Sequence, residues 1–218
     1  MLIDLHIHSC YSKDCSSPVA SILTQAFNAG LNGIAICDHD AICGSLEAEQ
    51  IVEETGLDIV VVPGIEVTTS RGHLLVLGIR EVFPKNSDPK DIIRMVRAQD
   101  GFIVAPHPHK GHPKSLGNVS DLDVDAIETL NSRYILGWFN NKAVKMAEDL
   151  NLPMLGNSDA HCVEMVGRAY TEIDSKPSVN AIFKAISTGK TKVYGNRTPY
   201  NIQFRHICGG LQRRIRIK

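Results

Sequence analysis

Short apolar runs alternate with longer amphipathic ones along the whole chain. Ile34-Ala35-Ile36, Val60-Val61-Val62, Leu74-Leu75-Val76-Leu77, Phe102-Ile103-Val104-Ala105, Ala126-Ile127-Glu128-Thr129-Leu130 and Met154-Leu155-Gly156 read as buried strands. Helical stretches lie between and around them. Val19 to Phe27 follows Ser17-Pro18 and stops at Gly30, and Leu46 to Thr55 stops before Gly56. Asp88-Pro89 opens a third helix that carries Ile92, Ile93, Met95 and Val96 and ends by Gly101. Trp138 to Leu150 makes a fourth, and Ser178 to Thr188, before Gly189, a fifth. Capping Ser or Asp, first-turn Pro and terminal Gly are the usual start and stop signals. Strand alternating with helix predicts βα units around a parallel sheet, an α/β fold.

The first strand adds chemistry. It reads Ile3-Asp4-Leu5-His6-Ile7-His8-Ser9-Cys10-Tyr11. Alternation along a strand puts Asp4, His6 and His8 on one face and Leu5 and Ile7 on the other. Taken alone, His-x-His is equally two ordinary surface histidines. The later runs decide the matter, because they also meet ligand-type residues at their ends: Asp38-His39-Asp40, Glu66 after Pro63-Gly64, His73 after Gly72, His107 between Pro106 and Pro108, and Asp159 with His161 after Gly156. Imidazole is the commonest protein ligand for zinc and its neighbours. Histidines and carboxylates gathered at strand C-terminal ends are where a (β/α) barrel places its chemistry.

Length refines that picture. The chain has 218 residues, whereas about 250 is typical of an eight-fold barrel, so a seven-stranded or distorted TIM-like barrel forming one domain over 1–218 is expected. Hydrophobic residues make up 43 %, and no run approaches the roughly 20 apolar residues of a membrane span. The first strand begins at Leu2, so no leader is expected and the location expected is cytoplasmic. Six cysteines show no Cys-x-x-Cys spacing, which predicts reduced thiols. Cys10, Cys37 and Cys162 each stand close to a candidate ligand, but a histidine already occupies the strand end beside each. The C-terminal segment 205–218 holds five of the 23 basic residues and no acid, leaving the remainder at a net −6. Such a basic tail is a solvated end or a hold on an anionic partner.

The ordered set Asp4-x-His6-x-His8, Tyr11-Ser12-Lys13-Asp14, Asp38-His39, Gly64-Ile65-Glu66, His73, His107-Pro108 and Ser158-Asp159-Ala160-His161 resembles the polymerase and histidinol phosphatase (PHP) superfamily. Within it, the chain looks like the stand-alone metal-dependent phosphoesterases. The likeness runs from the first strand to about Asp174. It implies a distorted (β/α)7 barrel whose strand ends bind two or three divalent metal ions (Zn, Mn or Fe). By resemblance, His6, His8 and Asp159 hold one metal, Glu66 bridges it to a second at His73 and His107, and Asp14, His39 and His161 hold a third. The acid after the His-x-His stands one position later than in many relatives, with Lys13 at the more usual spacing. Pro106-His107-Pro108-His109 offers two imidazoles, of which the His-Pro step favours His107.

Clustered metals suit phosphoester chemistry. The ester is anionic, and two ions about 3.5–4 Å apart clamp the attacking and leaving oxygens while lowering the pKa of bound water toward about 7. Imidazole mixed with carboxylate suits Zn, Mn or Fe(II) better than Mg. Glu66, Asp159 and His161 are thus candidates for the reacting centre. Arg133 and Arg168 are candidate phosphate contacts, since a guanidinium fits phosphate bidentately, although a loop arginine is as readily merely solvated. Asp4 is a candidate to orient an imidazole from behind the ligands. The expected substrate is a small phosphorylated metabolite, a nucleotide or a 5′-phosphorylated oligonucleotide, with no membrane partner. Two other readings compete: a non-catalytic PHP-fold interaction module, and an amidohydrolase-type metal hydrolase bridged by a mid-barrel lysine.

Overall fold

The computed structural model describes residues 1–109, 114–134 and 136–205. Residues 110–113, residue 135 and the basic tail beyond Arg205 lie outside the described residues. Among the described residues the elements follow in the order β1 (Leu2–Ile7), α1 (Val19–Asn28), β2 (Gly33–Ile36), α2 (Cys43–Thr55), β3 (Val60–Val61), β4 (Gly64–Thr68), β5 (His73–Leu77), α3 (Pro89–Arg97), β6 (Phe102–Ala105), β7 (Ala126–Asn131), α4 (Trp138–Leu150), β8 (Met154–Asn157), β9 (Ala169–Glu172), α5 (Val179–Ser187) and β10 (Lys192–Gly195), and residues 200–205 are helical as well.

Local chemistry explains the helix limits. Asp88 caps α3 by accepting from Lys90 N, with Pro89 in the first turn, and Ser178 caps α5. Left-handed residues stop α2 at Gly56 and α4 at Asn151. At α1 the capping position is Pro18 rather than Ser17, with no side-chain cap bond.

The strands form two mixed sheets. One runs β10-β9-β1-β2-β3 and the other β4-β5-β6-β7-β8. Within them β1-β2-β3 and β6-β7-β8 are parallel, but β4-β5-β6 and β1-β9-β10 are antiparallel. The all-parallel sheet expected from βα alternation is therefore corrected. The cause is connection length: only 69–72 separate β4 from β5, whereas a parallel crossover needs a dozen or more residues. Pro63, which has no N–H to give a ladder, splits the apolar run before Glu66 into β3 and β4. Isolated bridges, Ile7 to Ala160 and His39 to Glu66, join the two sheets beside the candidate ligands.

A core drawn from both sheets, including Ile3, Leu5, Ala35, Leu75, Leu77, Val104, Ala126 and Leu155, fills the space between them and meets α5 through Ile182 and Ile186. The outer faces pack on helices, Ile22 and Leu23 of α1 against Ile34 and Ile36, and Ile92 and Val96 of α3 against Val76 and Ile103. Strict alternation fails in β1. Its register shifts between Asp4 and Ile7, so Leu5 joins the inter-sheet core while Ile7 packs with α1. An irregularity of this kind re-aims side chains beside functional sites.

Candidate metal centre

Strands of both sheets contribute to one cluster. His6 and His8 come from β1 and the residues after it, Asp14 from the next loop, and His39 follows β2. Glu66 lies within β4, His73 opens β5, His107 follows β6, and Asp159 and His161 follow β8. The structure brings all nine together, with Glu66, 1 % exposed, at the middle. Its Oε1 is 2.8 Å from His73 Nδ1 and 2.9 Å from His107 Nε2. Oε2 is 2.9 Å from His39 Nδ1, 3.3 Å from His8 Nε2 and 3.7 Å from His6 Nε2. Asp159 Oδ1 lies 3.6 Å from His6 Nε2 and 3.4 Å from both His8 Nε2 and His161 Nδ1. Asp14 Oδ2 lies 3.5 Å from His39 Nε2 and 3.3 Å from His161 Nε2. Four trios have donor atoms close enough to share a cation: His6-His8-Asp159, His6-Glu66-His107, His39-Glu66-His73 and His8-His39-His161.

The electrostatics call for positive charge. Burial opposes protonation of His6, yet Glu128, Asp159 and Glu66 raise it well above an ordinary histidine. Burial likewise opposes His39, but Glu66 and Asp14 lift it to about 10. Glu66 is held well below the usual carboxylate range by His39, His73 and His6 against its own burial. His8 is pushed down by burial and His161, and His161 falls to about 4 through burial and Arg133. The protein alone thus balances buried carboxylates with protons on selected imidazoles. Glu66 Oε2 still makes no hydrogen bond, because His39 Nδ1, although near, lacks the alignment one requires. Such an orphaned carboxylate oxygen ringed by imidazole nitrogens fits divalent cations, so the donor set suits metal binding.

Backbone strain marks two of the candidate ligands. His107 has φ 30° and Asp159 φ 50°, left-handed values uncommon outside glycine. His107, not His109, faces the cluster. His109 is half-buried, and burial with nearby Lys142 pushes its pKa down.

Supporting residues differ in part from expectation. Asp4, lifted to about 6 by burial, accepts from the backbone N–H groups of Ser158 and Gly167, so it braces the loop carrying Asp159 instead of orienting an imidazole. Ser12 bonds His8 Nδ1 at 3.2 Å and accepts from His39 N. Glu128, wholly buried in β7, carries no local signal of its role, since it is one polar position inside an otherwise ordinary strand run. Arg133 Nη1 lies 3.2 Å from Asp159 Oδ1 and 2.8 Å from His161 Nε2. Arg168 is exposed, and its Nε donates to the Glu164 carbonyl rather than to the cluster. Burial pushes the Cys37 thiol up strongly and Cys162 to about 12, so both are thiols at neutral pH.

A cleft of ≈ 600 Å³ opens over Asp14, His39 and His73, bordered by Lys13, Lys85 and Lys114. Lys85 Nζ stands 3.4 Å from Asp40 Oδ2. Another cavity, ≈ 530 Å³ between the ends of α4 and α5, includes no residue of the cluster. Among the described residues no helix is long and apolar enough to cross a membrane.

Comparison with known proteins agrees with this geometry. The family model described as PHP domain matches residues 4–119, and that described as PHP-associated matches 137–191. An uncharacterized protein of Methanocaldococcus jannaschii is 34 % identical over 155 residues, 66 % of this chain and 90 % of that protein. A 5′-3′ exoribonuclease of Haemophilus influenzae is 37 % identical over 86 residues, 38 % of this chain but 30 % of its own length. A phosphoribosyl 1,2-cyclic phosphate 1,2-diphosphodiesterase of Eggerthella lenta is 38 % identical over 90 residues, 38 % of this chain and 33 % of its own length. A solved two-domain protein of Bacteroides vulgatus, containing a predicted PHP-like metal-dependent phosphoesterase, superposes with TM-score 0.76 at 21 % identity. That match covers 90 % of this chain and 65 % of the other, and at this identity it speaks for the fold.

Proposed function

The chain belongs to the PHP domain family, and from that premise we propose that it is a metal-dependent phosphoesterase. Its substrate would be a nucleotide, a 5′-phosphorylated oligonucleotide or a small phosphorylated metabolite. The observation that carries the reading is Glu66, a buried carboxylate among His6, His8, His39, His73 and His107 with one oxygen left unbonded. We read residues 1–218 as one distorted (β/α)7-type barrel, supported by the bridges that join the two sheets beside the ligands.

His6, His8 and Asp159 would hold one divalent ion, Glu66 would share it with a second at His73 and His107, and Asp14, His39 and His161 would hold a third. His39 also reaches Glu66 and so can draw the second and third sites together. When bound, Zn, Mn or Fe(II) ions supply a nucleophile at neutral pH and offset the charge of the ester. The chain does the rest. Lys13, Lys85 and Lys114 draw an anion into the cleft. Arg133, beside Asp159 and His161, takes a phosphate oxygen and orients the ester. His161, unprotonated at neutral pH, offers a ring nitrogen as a ligand.

The two rival readings have less support. Every ligand position holds a competent residue, which speaks against a decayed interaction module. No lysine is buried among the described residues, so the bridging lysine of an amidohydrolase has no candidate there. The test is a screen of Mn- or Zn-loaded protein against phosphorylated metabolites, nucleotides and 5′-phosphorylated RNA and DNA. Metal-dependent phosphate release from one class is expected. Metal-loaded protein that cleaves no phosphoester but hydrolyses amides would overturn the assignment.

A further inference from the structure

Glu128 is 0 % exposed at the centre of β7, yet it belongs neither to the ligand set nor to the proposed chemistry. Its carboxylate meets donors on every side. Oε1 accepts from His6 Nδ1 at 2.9 Å and Asn157 Nδ2 at 3.0 Å, and Oε2 from His107 N and Asn131 Nδ2, both at 2.8 Å. Those partners come from β1, β8, the turn after β6, and β7 itself. One carboxylate therefore touches two of the residues assigned to different metals.

We propose that Glu128 is the positioning residue of the metal centre. It fixes a proton on His6 Nδ1, so that Nε2 faces Asp159 and Glu66, and it pins the left-handed backbone of His107, which sets the spacing between two metal sites. The inference rests on the phosphoesterase reading only in taking His6 and His107 as ligands. Its physical basis is the lack of freedom in the other partners. The backbone N–H of His107 can only donate. Asn157 cannot flip, because its Oδ1 accepts from Leu5 N at 2.9 Å, and Asn131 cannot flip, because its Oδ1 accepts from Arg133 N at 2.9 Å. An amide at position 128 would oppose its NH₂ to two of these donors, either His6 Nδ1 with Asn157 Nδ2 or His107 N with Asn131 Nδ2, and the second pair offers no relief at all. His6 alone can turn from donor to acceptor without breaking a second bond, by moving its proton to Nε2 and so blocking the atom that faces the metal.

Glu128→Gln should therefore leave the fold in place and weaken zinc binding roughly ten- to a hundred-fold, the usual effect of removing a carboxylate behind a metal-bound histidine. Chelator competition reads that affinity, and thermal unfolding of the metal-free variant separates it from general destabilisation. Nitrogen-15 NMR in the presence of zinc, which requires a neutral His6, should find its proton on Nδ1 in the wild type and displaced in the variant. Wild-type zinc affinity in a folded Glu128→Gln protein would overturn the proposal. Should the variant not fold, a wild-type His6 lacking a proton on Nδ1 would overturn it equally. Neither readout depends on turnover, so failure to cleave any phosphoester would count against the phosphoesterase reading alone.

Discussion

His6 Nε2 and His8 Nε2 face each other at 3.2 Å, and the two rings have opposite proton affinities. Glu128, Asp159 and Glu66 hold a proton on His6 despite its burial, while burial and His161 keep His8 neutral. The pair stands between Glu66 and Asp159, where one added positive charge serves all four side chains. A proton fills that role in the protein alone, and a divalent cation fills it with more charge and more coordination.

Glu66→Gln should remove nearly all activity. An amide oxygen is a poor bridge between two cations, and losing several kcal/mol of charge stabilisation corresponds to about a thousand-fold in rate. Far-ultraviolet circular dichroism should remain native while bound metal falls. Native metal content with native turnover would refute the bridging role.

Of the two arginines singled out from sequence, Arg133 alone touches the cluster. Losing a charge-assisted contact to an anion costs about 1.5–3 kcal/mol, so Arg133→Ala should lower kcat/KM roughly ten- to a hundred-fold. Arg168→Ala, removing a bond to the Glu164 carbonyl, should leave kcat/KM within about two-fold, as exposed substitutions usually do. Equal losses for both would show that the phosphate is held elsewhere.

Cys37→Ser separates thiolate ligation from packing. The thiol is buried and pushed far up by burial, and its nearest acceptor is Leu5 O at 3.5 Å. Replacing it with a hydroxyl should cost about 1–3 kcal/mol of stability and leave metal content unchanged. Denaturant unfolding and elemental analysis give the two answers, and lost metal in a folded variant would place Cys37 in the ligand shell.

Much of the candidate site is legible in the sequence because its candidate ligands are marked locally. His6, His8, His39, His73, His107, Asp159 and His161 each stand at or beside the end of an apolar run, and the helices announce their limits through Asp88-Pro89, Ser178, Gly56 and their like. Sheet direction was harder to read, although the short connection between Thr68 and His73 already favours an antiparallel pair. The strands β9 and β10 leave little signal in the sequence, since Ala169–Glu172 and Lys192–Gly195 are short and mixed in polarity. Glu128 and Asp4 illustrate the remaining gap. Their roles come from partners 122 and 154 residues away, His6 and Ser158, and no local pattern records a contact of that separation.

The central claim is a multinuclear centre, and metal stoichiometry tests it most directly. Protein reconstituted with Zn or Mn and freed of excess ion should carry two or three divalent ions per chain by elemental analysis. Anomalous scattering from crystals should place them among His6, His8, Glu66 and Asp159. One ion or none, with those side chains well ordered, would contradict it.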